Sequence, residues 1–348
     1  MERERIQAIC RACGLGAVLR EPEPLTGGFQ HRMLGVWTTS GHYAVKLLNP
    51  HILARPQALG YYLEADALEA RIESAGLPIL PARCFHGQKL QCLEGQYFYV
   101  FDWYAGKALR EEELRPAHCA RIGETLAALH GLETLAEAVV PDADGTDWDF
   151  ELECLARGNA ALAAMVLPHA TLLKSVQRRA QEAQAQLPPI RAICHHDLDP
   201  KNVLWQGDDF RIIDLECLDE ESSPLLECWE TALDWSGAGV RALDAKRLQA
   251  FLQAYTDRAG LLPCAPEVLV DCPTGRLGWL AFNLRRAQGI DCSAEEIPLG
   301  REQAEWALQQ ILYYEAQRER MVSLLRPWTA GSSANLLRKL YNSPVHPS

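Results

Sequence analysis

The sequence predicts an α+β fold divided into two lobes. The first third of the chain carries short β-forming runs separated by turn residues, whereas most of the remainder is rich in Ala, Glu and Leu at helical spacing. The length of 348 residues is enough for about two domains of roughly 150 residues each. We therefore expect a β-rich lobe over residues 1–101, a hinge over residues 102–105 and a larger, mainly helical lobe over residues 106–348.

Turn residues and helix breakers divide the β-rich lobe into its elements. The predicted elements are, in order, an N-terminal helix, a hairpin of residues 33–38 and 42–48, a helix over about residues 58–75, and strands at residues 83–85 and 96–101. Gly76 and Pro78 end the second helix. Its apolar stripe is imperfect and consists of Leu63, Ala67, Leu68, Ala70, Ile72 and Ala75.

Helical periodicity dominates the larger lobe. Residues 109–187 are Ala-, Glu- and Leu-rich, and the pair Pro188-Pro189 ends this region. Beyond about Leu225 the pattern is helical again.

The composition is that of an acidic globular protein. Hydrophobic residues make up 48% and charged residues 23% of the chain, which excludes the disordered and fibrous classes. The 34 basic and 46 acidic residues give a net charge of −12, which disfavours nucleic acid as a partner because phosphate contacts need a Lys/Arg-rich face. No apolar run approaches the roughly 18 residues of a membrane span, and the charged start MERER is unlike a secretory signal. We expect no membrane partner either.

The twelve cysteines are expected to be free thiols. Cys10 and Cys13 form a C-x-x-C pair, but no second pair is present to complete a zinc site. Both lie at helical spacing with Ile6 and Ile9, so we expect them on the buried face of the first helix. Buried free thiols are typical of a reducing compartment and favour a cytoplasmic protein.

The segment over residues 190–216 carries the strongest chemical signal. The apolar run before His195 is too short for a helix and Pro200 excludes a helix directly after it, so the residues between them are predicted to form a loop. Two β-like runs then flank a turn at Gly207 and predict a second hairpin.

The register of this second hairpin predicts a metal site. With the turn centred between residues 207 and 208, Asn202 lies opposite Ile213 and beside Asp214, and Asp197 is within reach of the same point. Oxygen-bearing side chains of this kind suit Mg²⁺, which proteins usually hold with one or two carboxylates and the phosphates of a substrate. A carboxylate that the metal leaves free can orient or deprotonate an attacking hydroxyl.

These motifs resemble those of the protein-kinase-like superfamily. The sequence HHDLDPKN, from His195 to Asn202, fits the H-x-D-x-x-x-x-N catalytic loop, and IIDLE at residues 212–216 is similar to the end of the metal-binding strand. The sequence has I-D-x-E where protein kinases have D-F-G, and in this it resembles members of the aminoglycoside phosphotransferase and choline kinase branch. Residues 25–32 resemble the nucleotide-covering loop and residues 99–106 the hinge.

The resemblance implies a small lobe with an antiparallel sheet and a helix, and a larger helical lobe that carries the catalytic loop and the acceptor-binding helices. It implies a small-molecule kinase that moves the γ-phosphoryl group of ATP to a hydroxyl of an amino-alcohol, amino-sugar or aminoglycoside-like acceptor. By the same resemblance Asp197 would orient and deprotonate this hydroxyl, and Asn202 and Asp214 would hold Mg²⁺.

The resemblance also assigns residues to ATP. Lys46 would pair with the α- and β-phosphates and be held by Glu64, for which Asp66 and Glu69 are alternatives. The remaining implied ATP-binding residues are two loop glycines and two hinge residues, namely Gly27, Gly28, Asp102 and Tyr104.

Three other functions compete with this interpretation. A metal-dependent phosphohydrolase would place its His-Asp pair, here His196 and Asp197, on a helix, which Pro200 disfavours. A protein kinase would carry Arg in place of His196 and Phe-Gly after Asp214. A nucleotide-binding scaffold without catalysis usually lacks the lysine, the catalytic aspartate or the metal-binding aspartate. This chain has all three, namely Lys46, Asp197 and Asp214.

The acceptor and the oligomeric state stay open. Acidic residues around the motifs either attract a cationic acceptor or form a solvated loop; they are Asp199, Glu216, Asp219, Glu220 and Glu221. A site for a quaternary ammonium would need two or three converging rings. The tryptophans available for it are Trp148, Trp229, Trp235 and Trp279.

Overall fold

The computed structural model describes residues 2–25, 31–134, 146–238, 242–272, 275–290, 292 and 294–330. They belong to two units. The first unit comprises residues 1–115, 128–135 and 192–220, and the second comprises residues 116–127, 136–191 and 221–348. The β-strands lie in the first unit and most of the helices in the second, which confirms the predicted α+β class. The boundary at residues 102–105 stays a prediction.

A five-stranded antiparallel sheet forms the core of the first unit, in the strand order β1-β2-β3-β5-β4. Its strands are β1 (Glu23–Leu25), β2 (Arg32–Thr38), β3 (Gly41–Leu47), β4 (Gln91–Leu93) and β5 (Gln96–Asp102). The predicted first hairpin is confirmed, with Met33 opposite Lys46. Residues 83–85, predicted as a strand, make only isolated bridges instead, such as that of Phe85 with Gln88.

The two faces of this sheet are covered by different helices. The helices of the unit are α1 (Glu2–Ala12), α2 (Pro50–Leu53) and α3 (Ala58–Ser74). Because side chains alternate along a strand, Phe98 and Val100 face α1, and Tyr99 between them packs with Tyr62 of α3. Cys10 of α1 is buried against the sheet as expected, and burial raises the pKa of its thiol to about 11. The structure describes all twelve cysteines, and none of them forms a disulfide.

A buried ion pair fixes α3 to the sheet side of the first unit. The Lys89 ammonium lies 2.6 Å from Glu69 Oε1, and both side chains are almost fully buried. Glu69 also accepts a hydrogen bond of 2.7 Å from the backbone N–H of Ala82. Glu69, one of the acidic residues of α3 considered as a partner of Lys46, is therefore paired with Lys89 instead.

A small three-stranded sheet carries the second predicted hairpin. Its strands are β6 (Lys107–Ala108), β7 (Val203–Gln206) and β8 (Asp209–Ile212), in that order. Val203 pairs with Ile212 and Gln206 with Asp209, so the predicted register is confirmed. Gly207 adopts a φ of +64° in the turn, a conformation that glycine reaches without strain.

The remaining helices are α4 (Pro116–His130), α5 (Trp148–Gly158), α6 (Ala160–Val166), α7 (Ala170–Gln184), α8 (Pro224–Trp235), α9 (Ala245–Ala259), α10 (Pro266–Asp271), α11 (Gly275–Ala287) and α12 (Ile297–Leu325). Trp148, Leu155, Leu280, Leu284 and Leu308 are central to the core that α5, α6, α7, α11 and α12 share. None of the helices in the described part of the chain is long and apolar enough to cross a membrane.

A close helix contact in the second unit depends on Gly123. A Cβ atom at this position of α4 would lie 2.4 Å from the backbone oxygen of Phe251 in α9, which cannot move independently of its helix. We expect Gly123→Ala to lower the free energy of unfolding in urea by about 1–3 kcal/mol, because one added methyl group forces the two helices apart. Gly278 of α11 has open space around its Cβ position. Gly278→Ala should therefore be neutral or stabilise by about 0.5–1 kcal/mol, and equal losses in both variants would contradict the packing argument.

Candidate active site

The predicted catalytic loop and the end of β8 lie side by side. The backbone N–H of Ile213 donates to the carbonyl oxygen of Asn202 at 2.9 Å, which is the contact that the hairpin register predicts. Asp214 follows directly. Asp197 reaches the same place because the Asn202 amide nitrogen donates to its carboxylate Oδ2 and to its carbonyl oxygen, each at 2.8 Å. The structure thus brings the three predicted oxygen donors to one end of the hairpin.

His195 is the internal support of this loop. Its imidazole is buried, with Nδ1 accepting from the backbone N–H of Asp197 at 3.3 Å and Nε2 lying 3.1 Å from the carbonyl oxygen of Ile213. These two contacts fit a neutral ring that is protonated at Nε2. The ring therefore has a structural role, because it joins the loop to the end of β8.

Asn202 is oriented to offer an oxygen. Its amide nitrogen is committed to Asp197, so its side-chain oxygen remains for another partner, and the residue is almost fully buried. A buried amide oxygen beside an aspartate is a donor set that Mg²⁺ accepts.

Asp214 occupies a left-handed backbone conformation, with φ 67° and ψ 52°. Such a conformation is uncommon for a residue with a side chain and is often found at functional sites. Burial opposes its charge, but the nearby Lys46 ammonium outweighs burial and holds the pKa of Asp214 below its usual range. Asp214 is therefore ionised at neutral pH, as a metal ligand must be.

Lys46 lies in β3 with a buried ammonium. It contacts the carboxylate of Asp214 and lies 2.6 Å from Glu216 Oε1. Burial disfavours the charged ammonium, yet the charges of Glu216 and Asp214 raise its pKa above the ordinary value of a lysine. Burial raises the pKa of Glu216, and the nearby charge of Asp214 acts in the same direction, although Lys46 opposes both. Lys46 is thus a fixed positive charge beside the predicted metal ligand.

Glu64 does not hold Lys46, and this prediction is corrected. Glu64 lies on the exposed side of α3, whereas the residues that α3 buries include Tyr62, Ala65, Leu68 and Ile72. The inward stripe of α3 has a different phase from the stripe that the sequence suggested, so Glu64 points to solvent.

The two alternatives on α3 are also engaged elsewhere. Asp66 accepts hydrogen bonds from the Tyr99 hydroxyl at 2.9 Å and the Leu90 backbone at 3.0 Å, and Glu69 binds Lys89. Glu216 is therefore the functional residue that the sequence analysis missed as the lysine's partner. The signal for it was present, since Glu216 is the last residue of the I-D-x-E pattern.

Replacing Glu216 or Glu64 by glutamine, one at a time, tests which of them is the partner of Lys46. We expect Glu216→Gln to lower kcat/KM for ATP about 10- to 100-fold, because a buried charge pair loses one partner. Glu64→Gln, the matched exchange on an exposed helix face, should stay within about twofold of the wild type. Steady-state kinetics at varied ATP measure both. A large loss for Glu64→Gln with an unchanged Glu216→Gln would restore the helix residue as the partner.

The loop glycines cannot be placed. Gly27 and Gly28 lie outside the described residues, so their role in covering phosphates stays a prediction. The first described residue after them, His31, is held on both sides: Nδ1 accepts from the Asn49 backbone N–H, and Nε2 lies 3.1 Å from the Tyr62 hydroxyl. Burial, followed by the charge of nearby Lys46, lowers the pKa of His31 to about 4, so the ring is neutral at pH 7.

The predicted hinge residues have side chains with protein partners. The Arg83 guanidinium donates to the carboxylate of Asp102 at 2.6 Å, and the guanidinium of Arg211 lies 5.4 Å from the ring centre of Tyr104. The family resemblance implies that backbone groups of these two residues hold the adenine of ATP, and the side-chain contacts do not involve those groups. Their role in binding ATP stays a prediction.

A stack of rings adjoins the predicted hinge, and no motif in the sequence indicates it. The His42 ring lies between Trp37 and Trp103, at centroid distances of 3.9 and 3.6 Å, and the Arg20 guanidinium lies 3.4 Å from the Trp37 ring. The Trp103 backbone N–H also donates to the carbonyl oxygen of His42 at 3.1 Å. The stack therefore fixes the middle of the predicted hinge against β3.

Comparison with known proteins gives one family. A sequence model of the "Phosphotransferase enzyme family" matches residues 21–263. The chain is 28% identical over 265 residues to a homoserine kinase of Methylobacillus flagellatus, which covers 72% of this chain and 75% of that protein. A homoserine kinase of Methylobacillus glycogenes is 27% identical over 267 residues, with the same coverage.

Solved structures of kinase-like phosphotransferases share the fold. A spectinomycin phosphotransferase in complex with ADP and spectinomycin superposes with a TM-score of 0.63 and 11% identity, over 92% of this chain and 97% of its own. A choline/ethanolamine kinase family protein from Mesorhizobium loti gives a TM-score of 0.60 and 18% identity, over 94% and 100%. The predicted kinase-like fold is confirmed.

Proposed function

Because this chain belongs to the phosphotransferase enzyme family and is an ATP-dependent phosphotransferase with a hydroxyl acceptor, we propose that it phosphorylates a small zwitterionic amino alcohol of the homoserine type. The observation that carries the catalytic part is the meeting of Asp197, Asn202 and Asp214 at one hairpin end, with the Lys46 ammonium on Asp214. The acceptor class is supported by the two homoserine kinases, since the match with this chain covers three quarters of each of them.

Each residue of the site has a role in this reaction. The carboxylate of Asp197 accepts the proton of the acceptor hydroxyl. The hydroxyl oxygen forms a bond to the γ-phosphorus, and the bond from that phosphorus to the β–γ bridging oxygen breaks, which releases ADP. Lys46 pairs with the α- and β-phosphates. Asn202 and Asp214 would hold Mg²⁺, which neutralises charge on the phosphates when bound. Their oxygen donors, one amide and one ionised carboxylate, fit that ion.

The charges around the site do not by themselves select the acceptor. Three of the five acidic residues near the motifs have lysine or arginine partners in the first unit, namely Asp199, Glu216 and Glu220, and Asp219 lies 2.6 Å from His196 Nε2. Lys46 also contacts Asp214 and Lys201 also contacts Asp197, so each lysine compensates two carboxylates only in part. A residual negative charge of this kind attracts any ammonium group, including the one that a hydroxy amino acid carries.

The tryptophans argue against a quaternary ammonium acceptor. Trp148, Trp229 and Trp235 are at most 2% exposed, so they pack in the core and leave no open ring faces. Of these four tryptophans, Trp279 alone is exposed, and a single ring does not make a cage. A choline site would need two or three rings around the cation.

A panel of acceptors tests the proposal. ADP release is measured with MgATP and L-homoserine, ethanolamine, choline, an aminoglycoside or a neutral sugar, and the product is identified by phosphorus NMR. We expect L-homoserine to give kcat/KM about 100-fold or more above choline and the aminoglycoside, because an acceptor that does not match the site leaves buried polar groups unpaired. A preference for the aminoglycoside would refute the acceptor class. ADP release that no acceptor stimulates would refute the kinase assignment.

A further inference from the structure

Lys201 contacts the predicted catalytic carboxylate, and the mechanism above gives this lysine no role. Its ammonium donates to Asp197 Oδ1 at 2.9 Å and to Asp199 Oδ2 at 2.5 Å. It therefore lies between two carboxylates that are two positions apart in the chain. Lys46 has an equivalent position between Asp214 and Glu216.

The loop prepares this lysine for its position. Pro200 begins a 3₁₀ turn over Pro200–Asn202, and Asp199 caps the turn by accepting from the Lys201 backbone N–H at 2.9 Å. The same aspartate accepts from the ammonium with its other oxygen. One carboxylate thus holds both ends of Lys201, which reduces the conformational freedom that a lysine side chain normally has.

The contact fixes the orientation of Asp197. One carboxylate oxygen binds Lys201 and the other binds the Asn202 amide nitrogen at 2.8 Å, so rotation of the group would break one of the two hydrogen bonds. Each oxygen keeps a further lone pair for a substrate hydroxyl. The ammonium also offsets the repulsion between Asp197 and Asp199.

We propose that Lys201, anchored by Asp199, is a positioning residue that holds the Asp197 carboxylate in the orientation that accepts the proton of the acceptor hydroxyl. The proposal rests on the proposed function, because it assigns a role in that reaction. A mainly structural role does not explain the arrangement. The Lys201 side chain is 44% exposed, and the loop is already fixed by buried His195 and by the backbone of Asn202.

Two substitutions test the role of the charge. We expect Lys201→Met, which keeps the length of the chain, to lower kcat about 10- to 100-fold, because a misplaced catalytic group costs up to that factor. The KM for ATP and the melting temperature should stay close to wild-type values. Lys201→Arg should recover kcat to within about fivefold of the wild type, since it restores a cation that donates to carboxylates. Lys246→Met, at an exposed position of α9, is the control and should change nothing.

Two kinetic results would overturn the proposal. One is a Lys201→Met enzyme whose kcat stays within twofold of the wild type. The other is a Lys201→Arg enzyme as impaired as Lys201→Met, because the charge would then have no role.

A crystal structure of Lys201→Met separates this proposal from the proposed function. We expect the Asp197 carboxylate to turn away from Asn202 or to occupy more than one conformer. A carboxylate within about 0.5 Å of its wild-type position would overturn the positioning role, since productive geometry tolerates shifts of that size. This result does not depend on activity. Absence of kinase activity in the wild type would reject the proposed function alone.

Discussion

Replacing Asp197 with asparagine is expected to lower kcat about 1,000-fold, while the affinity for MgATP stays within about twofold, because a positioned general base contributes between 10² and 10⁴. The amide keeps the shape of the side chain and can still contact Asn202, but it cannot take the acceptor proton. A loss of this size corresponds to about 4 kcal/mol of transition-state stabilisation. Steady-state kinetics with L-homoserine and calorimetric titration with MgATP measure the two quantities separately.

The control for this exchange is Asp208→Asn, which makes the same chemical change in the exposed turn of the β7–β8 hairpin. We expect it to leave kcat unchanged. Turnover of Asp197→Asn at the wild-type rate would remove Asp197 as the base. A joint loss of kcat and MgATP affinity would show instead that the residue acts in nucleotide binding.

Replacing Asp214 with asparagine is expected to abolish Mg²⁺-dependent binding of ATP. The exchange removes the ionised ligand of the proposed metal site, and Glu216 remains as the partner of Lys46, so the fold should survive. For the wild type, MgATP at 100 times its dissociation constant should stabilise the folded state by about 2.7 kcal/mol, whereas ATP with EDTA should give much less. For Asp214→Asn the two conditions should give equal melting temperatures. A variant that keeps the full Mg²⁺-dependent stabilisation would contradict the metal role.

The β7–β8 hairpin could be predicted because its determinants are local. The turn at Gly207 fixes which residues pair, and the two-residue period of strands then determines that Asn202 lies beside Ile213. No tertiary contact is needed for this result. The juxtaposition of Asn202 and Asp214 follows from chain geometry alone.

The partner of Lys46 could not be predicted in the same way. Helix α3 is rich in alanine, which is tolerated on either face, so two overlapping stripes fitted the sequence. Leu63, part of the predicted stripe, is 48% exposed, whereas Tyr62 is buried. Each residue turns a helix by about 100°, so the stripe that begins at Tyr62 leaves Glu64 on the exposed side. Glu64 was assigned to Lys46 by the family resemblance, which does not fix the phase of this helix.

The contacts of Lys201 depend on the shape of its loop. Whether a lysine four positions after an aspartate reaches it is set by the cap at Asp199 and the turn after Pro200. The motif HHDLDPKN contains all of these residues, but it does not by itself give the direction of a long side chain.

A crystal structure with Mn²⁺ and a non-hydrolysable ATP analogue tests the central claim most directly. Mn²⁺ shares the oxygen ligands and octahedral geometry of Mg²⁺ and can be located by its anomalous scattering. We predict an anomalous peak in coordination contact with the side-chain oxygen of Asn202 and the carboxylate of Asp214, with the Asp197 carboxylate free of the metal. A nucleotide-bound metal that touches neither Asn202 nor Asp214 would contradict the account.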